Sequence, residues 1–327
     1  RRQLVSLIAL LLVSGCCVFA GLNIHPQQKA QASSPVQYVP AKKPFAILPG
    51  TLQSHHMPIN TISLYESTTN AAAMRSQGCS AARKAPGLIV LDWGQPVYFG
   101  NGTYGTYDFG GHDDTDTAIF HAVATFAQGI WLCRTRTTNI ALAIGESNYY
   151  SGHAIPLTNA AWYADGQQWG RMINNIQSFL TNNHYNIIGV HGAGDLEVEW
   201  LSFALTKSLV DGYNSVTSHL YFDFGDASPG WWSNYQIWYV AYGARDNVPL
   251  PEIYYTADAT YDWAALSRWA CSYASGPIYF KGAMSENLWG TNSPNKAFSD
   301  LYNALAANGC TAKYLSGMIF STEIYHA

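Results

Sequence analysis

The sequence predicts an α/β chain folded as a (β/α)8 TIM-like barrel, and three observations carry that prediction. Eight short runs of apolar, β-branched or aromatic residues recur from Leu88 onward. Amphipathic stretches with a 3.6-residue period separate several of those runs. Strands alternating with helices at this spacing fold as parallel strands with right-handed crossovers, and eight such units suffice to close a barrel.

The strand candidates are Leu88–Trp93, Ile140–Ile144, Ile187–Val190, Leu220–Phe224, Ile237–Tyr242, Ile253–Tyr255, Ile278–Phe280 and Met318–Phe320. The first helix spans Thr115–Leu132, where Ile119, Val123, Phe126 and Ile130 form one apolar face behind Thr115 or Asp116 as N-cap. Asn159 caps a second, whose face carries Trp162, Trp169, Met172, Ile173, Ile176 and Phe179. A third runs from about Trp200 to Val210 and stops at Asp211-Gly212. Trp263, Leu266, Ala270 and Tyr273 mark a fourth. Ser293-Pro294 opens a fifth, closed by Asn308-Gly309. Two features depart from a regular barrel. Gly243 to Glu252 is short for a crossover between the fifth and sixth runs, and little sequence follows the eighth. The barrel is therefore expected to be irregular around strands 4–6 and to lack its last outer helix, with residues 45–85 left to cover the gap.

Composition narrows the function. Charged residues make up only 12% of the 327, against a usual level of about 25%. Aromatics reach 14%, including 22 Tyr and 11 Trp. A surface poor in charge and rich in aromatic and hydroxyl side chains suits neutral, hydroxyl-rich ligands. It excludes nucleic acid as a partner, because phosphate binding needs clustered Lys and Arg. Arg1-Arg2 followed by apolar Leu4 to Leu22 reads as an export leader. It can be cleaved after Ala30-Gln31-Ala32, lipidated at Cys16 after Val13-Ser14-Gly15, or kept as a membrane anchor. The expected organisation is a leader or anchor over 1–32, a linker and N-terminal extension over 33–85, and a barrel domain over 86–327. The expected location is extracellular or at the cell surface. Outside the leader stand Cys79, Cys133, Cys271 and Cys310, enough for two disulfides with three pairings. Cys79–Cys133 and Cys271–Cys310 are the expected pairs, because each brackets neighbouring elements.

Chemistry concentrates at Asn186–Trp200, where an apolar run ends in Asp195, Glu197 and Glu199. On an extended strand these alternate residues share one face, about 6.6 Å apart, a spacing suited to a pair of glycosidase carboxyls. Other acids fall at the strand ends, where barrel active sites form: Asp92, Glu146, Asp223, Asp226, Glu286 and Glu323. Glu197 is the candidate general acid, its pKa raised by neighbouring carboxylates. Asp195 would orient substrate or stabilise charge, and Asp92 or Asp223 would act as base or nucleophile. Glu146 and His191 are substrate-binding candidates, and Trp231, Trp232, Tyr242 and Tyr255 are candidate platforms for sugar rings. Each acid alone is better read as a helix cap or an ion-pair partner, the set together as a site, and His191 is at least as well read as a core histidine. Gly100–Gly105 fits G-x-G-x-x-G, but no helix opens there, so it reads as a loop. His112 to Asp116 could bind a hard cation through its oxygens, but reads better as an acidic helix start favoured by the helix dipole. There is no Walker motif, no H-E-x-x-H and no G-x-S-x-G, and neither a cofactor nor a metal is expected.

The segments V-L-D-W-G (Val90–Gly94), L-A-I-G-E-S-N-Y (Leu142–Tyr149), G-A-G-D-L-E (Gly192–Glu197), D-G-Y (Asp211–Tyr213) and L-P-E-I-Y (Leu250–Tyr254) occur in that order. Together they resemble a group of uncharacterised secreted bacterial proteins related to glycoside-hydrolase-like TIM barrels, over about residues 86–327. The resemblance implies the barrel and a broad class, without an established reaction. The expected function is that of an exported glycoside-hydrolase-like protein acting on a cell-wall or extracellular polysaccharide by carboxylate acid–base chemistry. The rival expectation is a non-catalytic carbohydrate-binding surface protein on the same barrel.

Overall fold

The computed structural model describes residues 57–84, 87–135, 139–150, 155–228, 230–286 and 289–327. The leader and its cleavage options lie outside the described residues. Eight strands form one parallel sheet: β1 (Ile59–Tyr65), β2 (Leu88–Asp92), β6 (Ile140–Ser147), β7 (Ile188–Asp195), β8 (Tyr221–Asp223), β9 (Asn247–Pro249), β10 (Gly282–Glu286) and β11 (Phe320–His326). Three more, β3 (Gln95–Gly100), β4 (Thr103–Tyr107) and β5 (Asp113–Thr115), make a small antiparallel sheet between β2 and the helix that follows it. The order of the large sheet is β10-β11-β1-β2-β6-β7-β8-β9. Its two edges are joined by hydrogen bonds from Lys281 N to Pro249 O (3.0 Å), Met284 N to Pro251 O (2.8 Å) and Ile253 N to Met284 O (2.9 Å). The sheet thus curls into a (β/α)8 barrel.

The helices are α1 (Ala71–Lys84), α2 (Asp116–Cys133), α3 (Asn159–Asn182), α4 (Phe203–Val216), α5 (Asn234–Trp238), α6 (Ala264–Tyr273) and α7 (Pro294–Ala306). Thr115 and Ser293 cap as the sequence suggests, but Thr158 rather than Asn159 caps α3, α4 continues through Asp211-Gly212 to Val216, and α7 ends at Ala306, before Asn308-Gly309. The Thr115, Thr158 and Ser293 hydroxyls accept the backbone N–H groups of Ala118, Ala161 and Lys296. β8 and β9 are three residues each. Their shortness is the irregularity expected around strands 4–6.

The strand count agrees with the sequence reading, but three of the strands differ: Ile278–Phe280 is irregular chain just before β10, and Met318–Phe320 meets β11 only at Phe320. Ile237–Tyr242 is helical: it lies in α5 and the π-helical turn Tyr239–Gly243. A short apolar run cannot be told from a buried helix by periodicity alone. Ile253–Tyr255 is the loop after β9. The strands in place of these three are β9, β10 and β1, and β1 with α1 lies in the stretch read as linker and extension. β1 reads I-N-T-I-S-L-Y, and its inward positions Thr61 and Ser63 are polar. Ser63 Oγ accepts from Val90 N (3.1 Å) and meets Thr322 Oγ1 (2.9 Å) inside the barrel.

Two apolar layers result. Leu88, Val90, Ala141, Ala143, Ala193, Phe222, Phe224, Val248, Met284, Phe320 and Ile324 fill the barrel. Ile89, Leu91, Leu142, Ile144 and Val190 face the helices. Helices α1 and α2 pack closely enough that a Cβ on Gly78 would lie 2.0 Å from Phe126 O. The Cys79–Cys133 disulfide ties the same two helices, and Cys271–Cys310 ties α6 to the segment after α7. Two disulfides suggest an extracellular or secreted protein. Among the described residues no helix is long and apolar enough to cross a membrane.

Candidate active site

Side chains alternate along a strand, so the filling of the barrel fixes which strand-end acids point inward. Asp92 continues the inward series Leu88, Val90; Asp195 continues Ala193; Glu286 continues Met284; Glu252 continues Val248 and Leu250. Tyr65 and His326 close the ring from β1 and β11, with ring centroids 5.1 Å apart, and Phe109 lies 4.4 Å from Tyr65. One carboxyl oxygen each from Asp195, Glu197 and Glu252 lies within 4.8 Å of the other two. Glu197 and Glu199 lie beyond the end of β7 in a loop. The expected shared strand face is therefore absent, yet the loop still carries Glu197 to Asp195. The Asn148 side chain clamps that loop: its amide donates to Glu197 O (2.9 Å) and its carbonyl accepts from Glu197 N (2.9 Å). Glu199 is exposed.

Burial sets the protonation of this mouth. It pushes the Asp92 carboxyl up to about 7, against a hydrogen bond from Gly94 N. Burial, then the charges of Asp226, Glu199, Asp223 and Glu286, lifts Glu197 to about 8. Burial raises Asp195 well above the carboxylate range, with Glu252 and Glu197 adding to it. Glu252 is raised in the same way, although the Tyr254 hydroxyl donates to it. The same hydroxyl lies 3.0 Å from Glu286, which burial also raises. None of the ion pairs among the described residues involves these five carboxyls.

Other sequence candidates fall elsewhere. Asp223 is buried, but alternation along β8 turns it away from inward Phe222, and its Oδ1 accepts from Gly225 N (3.2 Å). Burial pushes it to about 8. Glu146 continues the outward series Leu142, Ile144 and so lies against the helices. Burial and then Asp165 of α3 and Asp116 of α2 raise it well above the usual range. His191 shares the inward side with Asp195 but sits four residues, about 13 Å, lower on the strand. It contacts His219 (ring centroids 6.0 Å) and Phe222, and burial lowers its pKa to about 3. Trp231 is 84% exposed in the loop after β8, whereas Trp232 is buried and donates to Leu201 O (3.1 Å). Tyr242 lies in the π-helical turn, where burial and then Tyr314 and Tyr279 raise its pKa to about 12. Tyr255 is exposed after β9 and donates to the carbonyl of exposed Trp289 (3.1 Å). Gly100–Gly105 is the β3–β4 hairpin turn, with Gly100, Asn101 and Gly102 all at positive φ.

Sequence reasoning missed Glu252, Tyr254, Tyr65 and His326 as members of the mouth. Glu252 and Tyr254 sit in L-P-E-I-Y, and reading Ile253–Tyr255 as a strand placed the glutamate before the strand instead of after one. No protein-family model matches this chain, and no curated protein matches it. Among solved structures it is similar to the endo-1,4-beta-mannanase from Rhizomucor miehei, with 11% identity over 84% of this chain and 88% of that one. The TM-score is 0.36, so the overlay has no bearing on reaction or substrate.

Proposed function

We propose that this chain is an exported glycoside-hydrolase-like protein acting on a cell-wall or extracellular polysaccharide through carboxylate acid–base chemistry. The observation that supports the reading is the inward set Asp92, Asp195, Glu252 and Glu286, with Glu197 beside it, at the barrel end where active sites form. Glu197, lifted to about 8, keeps its proton at neutral pH and is the general acid. Asp195, within 4.8 Å of it, holds the sugar and the developing charge. Asp92 faces the same space as base or nucleophile, while Asp223 shapes the turn through Gly225. Exposed Trp231, Tyr255 and Trp289 stand in the loops above the mouth as platforms for sugar rings. Residues 1–32 would direct export and leave the chain released or attached to the membrane.

One observation favours the second reading, a non-catalytic carbohydrate-binding protein. Burial raises all five carboxyls, and among the described residues none is in an ion pair, only Glu286 feeling an opposing charge, that of His326, whereas hydrolysis needs one ionised beside one protonated. The deciding experiment is reducing-end release from peptidoglycan, chitin and plant glucans by wild type and Glu197→Gln. Glu197→Gln keeps the shape and removes the transferable proton. Turnover is expected to fall about 10²–10⁴-fold while polymer binding survives. Unchanged hydrolysis would remove Glu197 from the role of acid. Binding without hydrolysis in the wild type would establish the second reading.

A further inference from the structure

Buried Asp195 and Glu252 and half-buried Glu197 lie together in the mouth, and their oxygens have the reach of a coordination shell. Their oxygens lie within 4.8 Å of one another. Oxygens on opposite sides of a calcium ion stand about 4.6–5.2 Å apart, twice the calcium–oxygen distance. We propose that Asp195, Glu197 and Glu252 bind a hard divalent cation, calcium in the first instance, at the mouth of the barrel.

Four features support the site. Asp195 Oδ1 and Glu252 Oε1 are buried and accept no hydrogen bond from any described protein group. Asp92 is a separate pointer: it is fully buried on another strand, faces the same space, and its Oδ2 is also without a donor. Buried carboxylate oxygens without donors are expensive, and an ion satisfies several at once. The donors are also held in place from behind. Tyr254 donates to the other oxygen of Glu252, and Asn148 clamps the Glu197 backbone. Such outer contacts orient ligands in metal sites. All three donors are carboxylates, without His or Cys, which selects calcium, magnesium or manganese over zinc. Magnesium demands a near-ideal octahedron at about 2.0–2.1 Å and keeps several waters, whereas calcium accepts a flexible shell of several carboxylates, so calcium is the better fit.

The site stands apart from the polysaccharide reading, because binding can be measured without substrate. If that reading also holds, an ion here takes the Glu197 oxygen that would meet a glycosidic oxygen, so calcium would suppress hydrolysis. The test is calorimetric titration of the full exported chain, stripped with chelator, using calcium chloride and then magnesium chloride. Terbium luminescence excited through the neighbouring tyrosines is the second readout. One calcium per chain is expected, with Kd of about 10⁻⁴–10⁻³ M, as in extracellular calcium modules. Glu252→Gln and Asp195→Asn should each weaken it at least about tenfold. Glu323→Gln, on the outward side of β11, should bind like wild type. Circular dichroism and a melting curve check that each variant is folded. No heat and no terbium signal in the wild type would overturn the proposal. So would calcium binding that persists in both folded site variants.

Discussion

The phenolic oxygen of Tyr254 lies 3.0 Å from a carboxyl oxygen of Glu286, and the same hydroxyl also reaches Glu252. A phenol has one proton to donate. It can serve only one of the two carboxylates, so the other must bring its own proton if both contacts are hydrogen bonds. Burial, followed by the charge of Glu252, raises the Tyr254 pKa, which keeps the phenol protonated. The geometry therefore stores a proton between two strand ends. Tyr254→Phe removes the donor and leaves buried Glu252 short of a partner. An unsatisfied buried acceptor costs about 1–3 kcal/mol, and urea denaturation should show a loss of that size. Unchanged stability would mean that Glu252 recovers a partner from elsewhere.

A second consequence concerns pH. On the outer face of the barrel, Glu146 and Asp165 are buried beside partly buried Asp116, and the charges acting on Glu146 are all acidic. Burial and then Asp116 raise Asp165 well above the usual range, and burial lifts Asp116 to about 7. A carboxyl with a raised folded-state pKa binds its proton more tightly when folded. The stability it contributes is full below about pH 4 and is lost as pH rises through the folded value, about 7 for Asp116. The protein should therefore melt at a higher temperature near pH 5 than near pH 8. Asp165→Asn should raise the melting temperature near pH 8 and flatten the slope between the two. A wild type equally stable at both values would show that the cluster is neutralised by other means.

The disulfides give a quantitative prediction. Cys79–Cys133 closes a sequence separation of 54 and Cys271–Cys310 one of 39. In the chain-entropy model either is worth about 4 kcal/mol. Replacing Cys79 and Cys133 together by Ser should lower the free energy of unfolding by about that amount, read from denaturant curves. Gly78 and Gly129 still permit the α1–α2 approach, so the fold should persist. Non-reducing peptide mapping of the wild type should recover both linked peptide pairs. Four free thiols would overturn the pairing.

What could be read from the sequence divides along physical lines. The central strands β2, β6 and β7 and helices α2 and α3 were legible because their apolar periods are long and uninterrupted. β1 was hidden because Thr61 and Ser63 face inward and bond to polar neighbours on adjacent strands. Residues 237–242 read as a strand because Ile, Trp, Tyr and Val favour one, while tertiary burial makes the segment helical. Asp92, Asp195 and Glu197 were legible as acids following apolar runs. Glu252 was not, since the three-residue β9 leaves almost no pattern to count from. Glu146 illustrates the opposite error. Its strand end is right, but a shift of one residue in register turns a side chain from the barrel to the helices.

Trp231 and Trp232 are neighbours in sequence with opposite fates, and the contrast separates binding from stability. Trp231 is 84% exposed, so its indole contributes little to folding and is free to stack on a ligand. Trp232 is 8% exposed, its Nε1 donates to Leu201 O, and Phe203 packs edge-on at 5.9 Å. Trp232→Ala should destabilise the protein by about 3–5 kcal/mol, as for other buried aromatics cut to alanine. Trp231→Ala should leave the melting temperature unchanged. If the loop above β8 carries a sugar platform, it should weaken polysaccharide binding by about 0.5–1.5 kcal/mol, the worth of one aromatic stacking contact, or roughly 2- to 12-fold in Kd. Affinity electrophoresis in gels cast with each polymer reads this directly. Equal retardation of wild type and Trp231→Ala in every binding polymer would exclude Trp231 as a platform and leave Tyr255 and Trp289 as the residues to test.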